Sequence, residues 1–394
     1  MTRLSAVTRI NPLKVVFLIL LGFVLQGCGG GGGGGGGLTT YQMGGSIQGI
    51  PLSLTTDVTT LAGTAGNLGS NDGTGAAAQF NYPFRITTDG TNLYVADISN
   101  QIIRQVVIAT GVVTTLAGTA LSTGYTDGIG AAAQFSNPEG ITTDGTNLYV
   151  VDTNNEIIRQ VVIATGVVTT LAGTAGMRGS TDGTGATAQF DNPVGITTDG
   201  TNLYVADRNN DAIRKIVIAT GVVTTLAGTA GNSGGADGIG AAAQFRNPEG
   251  ITTDGTNLYV ADTGNEIIRQ VVIATGVVTT LAGTAGMRGS IDGMGAAARF
   301  GYRLWDITTD GTNLYVVDTR NETIRKIVIA TGVVTTLAGT TLSTGSTDGT
   351  GAAARFDEPT GITTDGASLY VTDLNNQTIR QIDWWDIRSL LVKF

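Results

Sequence analysis

The string Thr-Thr-Leu-Ala-Gly-Thr occurs six times, with its leucine at Leu61, Leu116, Leu171, Leu226, Leu281 and Leu337. Four successive spacings are 55 residues and the last is 56, the extra residue falling just before Ile307. A fixed period of this size marks each copy as one supersecondary unit that cannot bury its apolar face alone and must stack against its neighbours. Whatever the local structure is, it has to tile.

Each copy reads as four short strands. In the second, residues 141–144 form a strand that ends in the turn Asp144-Gly145-Thr146-Asn147, and residues 148–152 form another ending at Thr153-Asn154-Asn155. Residues 157–163 and 167–171 follow, joined by Ala164-Thr165-Gly166. The strands are β-branched or aromatic and the joints are Gly, Asn and Asp, as antiparallel hairpins require. The link to the next copy, residues 172–195, is long for a structureless loop, and a short helical turn is expected over 185–190, with Phe190 packed between units. Six such units with a buried face toward each neighbour describe an all-β, six-bladed β-propeller with four antiparallel strands per blade.

The sixth copy has its first three strands, over 362–382, but no Val-Val-Thr-Thr-Leu after them, while a spare copy stands at the other end, in Asp57-Val58-Thr59-Thr60-Leu61. An N-terminal strand completing the last blade closes the ring and removes both open edges. The divergent tail, 383–394, carries Ser389-Leu390-Leu391-Val392-Lys393-Phe394, which competes for the same edge. The propeller is thus expected over 55–382.

Ahead of it, Arg3, Arg9 and Lys14 precede an apolar run over 15–25, too short to read comfortably as a spanning helix. Leu25-Gln26-Gly27-Cys28 follows and resembles the bacterial lipobox, which implies cleavage after residue 27 and a lipid on Cys28, the only cysteine. An ordinary signal peptide or a marginal anchor is the alternative. Gly29 stands where an aspartate would imply inner-membrane retention, so the resemblance points to the cell envelope and its outer membrane. Residues 28–54 begin with unbroken glycine to Gly37, a flexible tether.

The chain has 22 basic and 31 acidic residues for a net charge of −9, and loss of the leader removes three positive charges and no negative one. Such a surface repels phosphate backbones, so nucleic acid is not an expected partner. Histidine is absent, which removes the usual general base and the commonest transition-metal ligand; a lone cysteine allows no internal disulfide or thiolate zinc site.

The repeat resembles the NHL repeat. The resemblance rests on Pro248-Glu249-Gly250-Ile251, Asp254 to Asp262, Asn265-Glu266-Ile267-Ile268-Arg269 and Leu281-Ala282-Gly283 in the fourth copy, with counterparts in the others. It implies the six-bladed fold. Some propellers of this kind are lyases or lactonases with a metal on the axis; those most like NHL proteins use histidines, which this chain lacks. A calcium-dependent lactonase needs only Glu and Asn, and Glu139 and Glu249 occupy axial positions, but Val194 and Thr360 leave the ligand set incomplete.

Two recurring constellations invite functional readings. Asp97 with Arg104, Asp152 with Arg159, Asp207 with Arg214, Asp262 with Arg269, Asp318 with Arg325 and Asp373 with Arg380 keep a fixed offset around a turn. A group repeated in every blade is expected to be a structural ion pair, since an active site occurs once per ring. The Asp72-Gly73-Thr74-Gly75 segment and its relatives lack the carboxylate run of a calcium loop and are expected to cap a turn of helix. A site is instead sought where the copies disagree. Four of the segments entering the inner strands are bland, whereas the first and fifth, on either side of blade six, carry Tyr82, Phe84 and Arg85, and Tyr302, Arg303 and Trp305. Tyr, Trp and Arg dominate binding hot spots. These six residues are the candidate ligand site, for a protein or polysaccharide partner.

The expectation is a monomeric, membrane-anchored binding or scaffold protein, with no catalytic residue, metal or cofactor. A metal-dependent lactonase- or lyase-like enzyme is the alternative, and a recently expanded array with little selected function is a third.

Overall fold

The period becomes a ring of six antiparallel sheets in the computed structural model, which describes residues 56–384. The leader over 1–27, Cys28 and the tether over 28–54, and the competing segment 389–394 lie outside the described residues.

Blade 2 shows the pattern, with strands Pro138–Thr143, Asn147–Asp152, Ile157–Val162 and Val167–Ala172 running from the axis outward. A fifth strand of two residues, Gly128–Ile129, pairs with Val167 and Val168 on the outer edge, so each blade has one short strand beyond the four expected. The inner strands of the other blades are Pro83–Thr88, Pro193–Thr198, Pro248–Thr253, Leu304–Thr309 and Pro359–Thr364. Closure is by the N-terminal strand. Thr56–Ala62 pairs antiparallel with Thr378–Trp384, Val58 opposite Ile382, and takes Gly349–Thr350 on its other side.

Six apolar clusters fill the six seams. Between blades 2 and 3, Tyr149, Val151 and Ile158 pack against Ile196, Leu203 and Val205, with Phe190 between them. The expected helical turn is there, as the 3-10 turn Gly185–Thr187.

The repeated Asp/Arg pair is the frame of each blade. In blade 3, Arg214 donates through Nη1 to Asp207 at 2.7 Å and to the Gln189 carbonyl at 2.8 Å, and lies over the Phe190 ring at 5.2 Å. Burial pushes Asp207 up to about 6, while Arg214, Asn210 and the Asp191 N–H pull it back. It therefore stays ionised at neutral pH. Asp182, of the Asp-Gly-x-Gly segment, does not cap the helical turn as expected. Its carboxylate accepts from Arg214 Nη2 at 2.8 Å and from the Thr225 N–H and hydroxyl at 3.1 and 3.0 Å, stitching the linker to the third and outer strands. The buried guanidinium, with a second fork to fill, outcompetes the backbone of a three-residue turn.

The inner strands slip register where they enter the ring. Pro138 pairs with Asp152 and pairing resumes only at Ile141 with Val150; the same shift separates Pro83 from Ile86, Pro248 from Ile251 and Pro359 from Ile362. Blade 5 has a one-residue version between Leu304 and Asp306. A bulge frees residues from the ladder and re-aims their side chains. Phe84, Arg85, Glu139, Glu249 and Trp305 all sit in these bulges.

Candidate binding cleft

The freed side chains build one cleft at the mouth of the ring, of about 380 Å³, lined by Phe84, Glu139, Arg208, Asn247, Glu249, Thr263, Gly264, Tyr302, Arg303 and Trp305. Phe84 from blade 1 and Trp305 from blade 5 meet across blade 6, their rings 5.2 Å apart and tilted by 51°. Arg303 lies over Trp305 at 5.0 Å and over Tyr302 at 5.6 Å. Four of the six residues singled out in the sequence therefore converge on the cleft.

The other two go elsewhere. Tyr82 is 38% exposed and outside the lining. Arg85 is buried rather than facing the mouth: its guanidinium crosses the axis to Glu249 of blade 4 and Asp306 of blade 5, each at 3.3 Å. It closes the channel below the cleft. Glycine at Gly195 makes room, since a Cβ there would meet both the Glu249 carbonyl and the Arg85 guanidinium.

Four further charged groups meet Arg85 at this floor. Glu249 is buried and burial pushes its carboxyl up, with Arg208 and Arg85 opposing. Asp306 is pushed up to about 6 by burial, against Arg85 and the Ile362 N–H. Glu139 reaches about 7, through burial and then the charge of Glu249, partly offset by Arg85 and Arg208. Arg208 comes from the turn after the second strand of blade 3, its Nε 3.2 Å from Glu249.

No family model matches the sequence. The NHL repeat-containing protein 2 of Gallus gallus is 27% identical over 342 residues, 77% of this chain and 46% of that protein. The chain is a six-bladed propeller with homologues among the NHL repeat-containing proteins. The chloroplastic protein SUPPRESSOR OF QUENCHING 1 of Arabidopsis thaliana is 30% identical over 277 residues, 66% of this chain and 26% of that protein. The chain thus spans less than half the length of these curated relatives. An auxiliary nutrient binding protein from Bacteroides thetaiotaomicron superposes with a TM-score of 0.62 at 20% identity, over 84% of this chain and 77% of its own. That likeness is one of fold.

The axial residues of this propeller do not fit a divalent cation. Arg85 already occupies the space between Glu249 and Asp306, and among the described residues no three His, Cys, Asp or Glu side chains converge as a ligand set. Arg208 and Asn247 were not singled out from the sequence. A signal for Arg208 existed: the copies read Ile98, Thr153, Arg208, Thr263, Thr319 and Leu374 at that position, so it is the lone cation. Asn247 offered none, because Asn137 and Asn192 share its place.

Proposed function

We propose that the chain is a non-catalytic binding protein of the bacterial envelope, held by a lipid on Cys28, whose propeller face takes a glycan in the axial cleft. One observation carries the reading: two copies depart from the repeat, and their departures bring Phe84 and Trp305 into contact in a single polar-rimmed cleft. Aromatic rings with a few convergent polar groups are what small-ligand sites are made of. The nutrient-binding description of the Bacteroides thetaiotaomicron protein of this fold agrees with such a role.

The test is an array of neutral and acidic oligosaccharides probed with the labelled full chain and with Trp305→Ala. Signals that the variant loses, with unchanged thermal unfolding, are expected; a blank array, or signals the variant keeps, would refute the reading. Cys28→Ser should release the chain from the membrane fraction, and retention there would refute the anchor. A lyase- or lactonase-like enzyme is favoured by one observation only, Glu139 near neutrality beside Glu249. Chromatography of an array hit after overnight incubation decides it, since cleavage products would overturn the non-catalytic reading.

A further inference from the structure

The donors and acceptors of the cleft are not evenly spent. Two of the three acids at the floor have a cation: Glu249 lies against Arg85 at 3.3 Å and Arg208 at 3.2 Å, and Asp306 against Arg85 at 3.3 Å. Glu139 accepts from Asn137 Nδ2 at 2.5 Å, and burial beside Glu249 keeps it a reluctant anion. A cationic ligand would find no free partner that holds a full charge at neutral pH.

The arginines are the opposite case. The Arg303 side chain makes no hydrogen bond among the described residues; its Nη1 stands 3.6 Å from Glu358, whose same oxygen already takes Arg320 at 2.6 Å. Its planar fork is oriented by Trp305 and Tyr302 instead. Arg208 is one-third exposed, and its buried Nε makes no well-aligned hydrogen bond despite the 3.2 Å approach to Glu249. The Asn247 carboxamide is likewise uncommitted within the described residues, and Tyr302 is half-exposed. Two guanidiniums with unspent N–H groups facing an opening are a receptor for a planar oxyanion. Beside them stand an aromatic wall and polar groups suited to hydroxyls.

We propose that the cleft selects an acidic sugar: a pyranose bearing a carboxylate, its ring against Phe84 and Trp305 and its carboxylate taken by Arg303 and Arg208. This rests on the glycan-binding reading above. The volume, near the lower end of the range of about 300–1,000 Å³ for ligand sites, suits one or two sugar units rather than a long segment.

The experiment is calorimetric titration of the full chain with trigalacturonate and with its fully methyl-esterified form, which has the same rings without the charge. The free acid is expected to bind at least tenfold more tightly. Arg303→Gln should erase that gap at near-unchanged thermal stability, because the Arg303 side chain is one-third exposed and its one ion-pair contact, to Glu358, is a loose 3.6 Å; Arg303→Lys should keep part of it. Equal affinities, or a gap that Arg303→Gln leaves intact, overturn the inference. If neither trimer binds while neutral oligosaccharides give Trp305-dependent array signals, the acidic-sugar inference falls and the glycan reading stands. A blank array fells both.

Discussion

Arg85→Gly restores the residue that four other copies carry at this place, Gly140, Gly195, Gly250 and Gly361, and repeat consensus would score it as an improvement. The tertiary structure demands the reverse. Arg85 is 3% exposed and its single guanidinium pairs with both Glu249 and Asp306. Without it Glu249 keeps Arg208, but Asp306 keeps only backbone donors such as the Ile362 N–H at 3.0 Å. Breaking a buried pair by removing one partner costs about 3–5 kcal/mol, and a glycine in a strand adds roughly 0.5–1 kcal/mol. The loss should depend on pH. Asp306 already sits near 6, above its unfolded value, and losing Arg85 raises it further. A carboxyl raised in the folded state destabilises increasingly as pH rises through its folded value, so the deficit is largest at pH 8 and shrinks toward pH 5. Urea unfolding at both pH values measures this, with Asp306→Asn and the double variant completing a cycle. Asp306→Asn should recover part of the loss in the Arg85→Gly background. An Arg85→Gly variant within about 1 kcal/mol of wild type at pH 8 would refute the reasoning.

The same consensus operation has the opposite sign at the rim. Leu121 and Leu342 adopt φ of 63° and 57° and are 73% and 76% exposed, where four copies have glycine. Replacing either by Gly should stabilise by up to about 1 kcal/mol in urea unfolding, and destabilisation would show that the leucines pack usefully. Deleting Thr56–Ala62 uncovers the edge of Thr378–Trp384, and size-exclusion chromatography should show association or aggregation; a monomer with cooperative wild-type unfolding would mean the strand is dispensable. Glu139, near 7, faces Glu249, Arg85, Arg208 and Asn137, and its proton favours an anionic ligand. Affinity for trigalacturonate should therefore fall as pH rises from about 6 to 8, and Glu139→Gln should flatten the profile; a flat wild-type profile would remove Glu139 from the site.

Much of this molecule was legible in the sequence because it is written there six times. Periodic strands, Gly/Asn/Asp joints and the displaced Thr-Thr-Leu gave the blades and the strand that closes the ring. The two aromatic copies pointed to the cleft, because a departure from an internal repeat needs no second sequence to be noticed. Asp182 was misread because its Arg214 partner lies 32 residues away and the adjacent helical turn was the nearer explanation. Arg85 was placed on the mouth because its neighbour in sequence, Phe84, lines it.

What the sequence determined is the part set by local patterning: strands, turns, blade count and closure follow from residue types at short spacing. The tertiary structure alone decided the direction and charge state of side chains on the axis. There six copies meet, and residues 164 and 221 positions apart stand within a hydrogen bond of one another. Repeat periodicity fixes where each inner strand lies, but a pairing between copies across the ring depends on closure in three dimensions, which no spacing within a copy encodes.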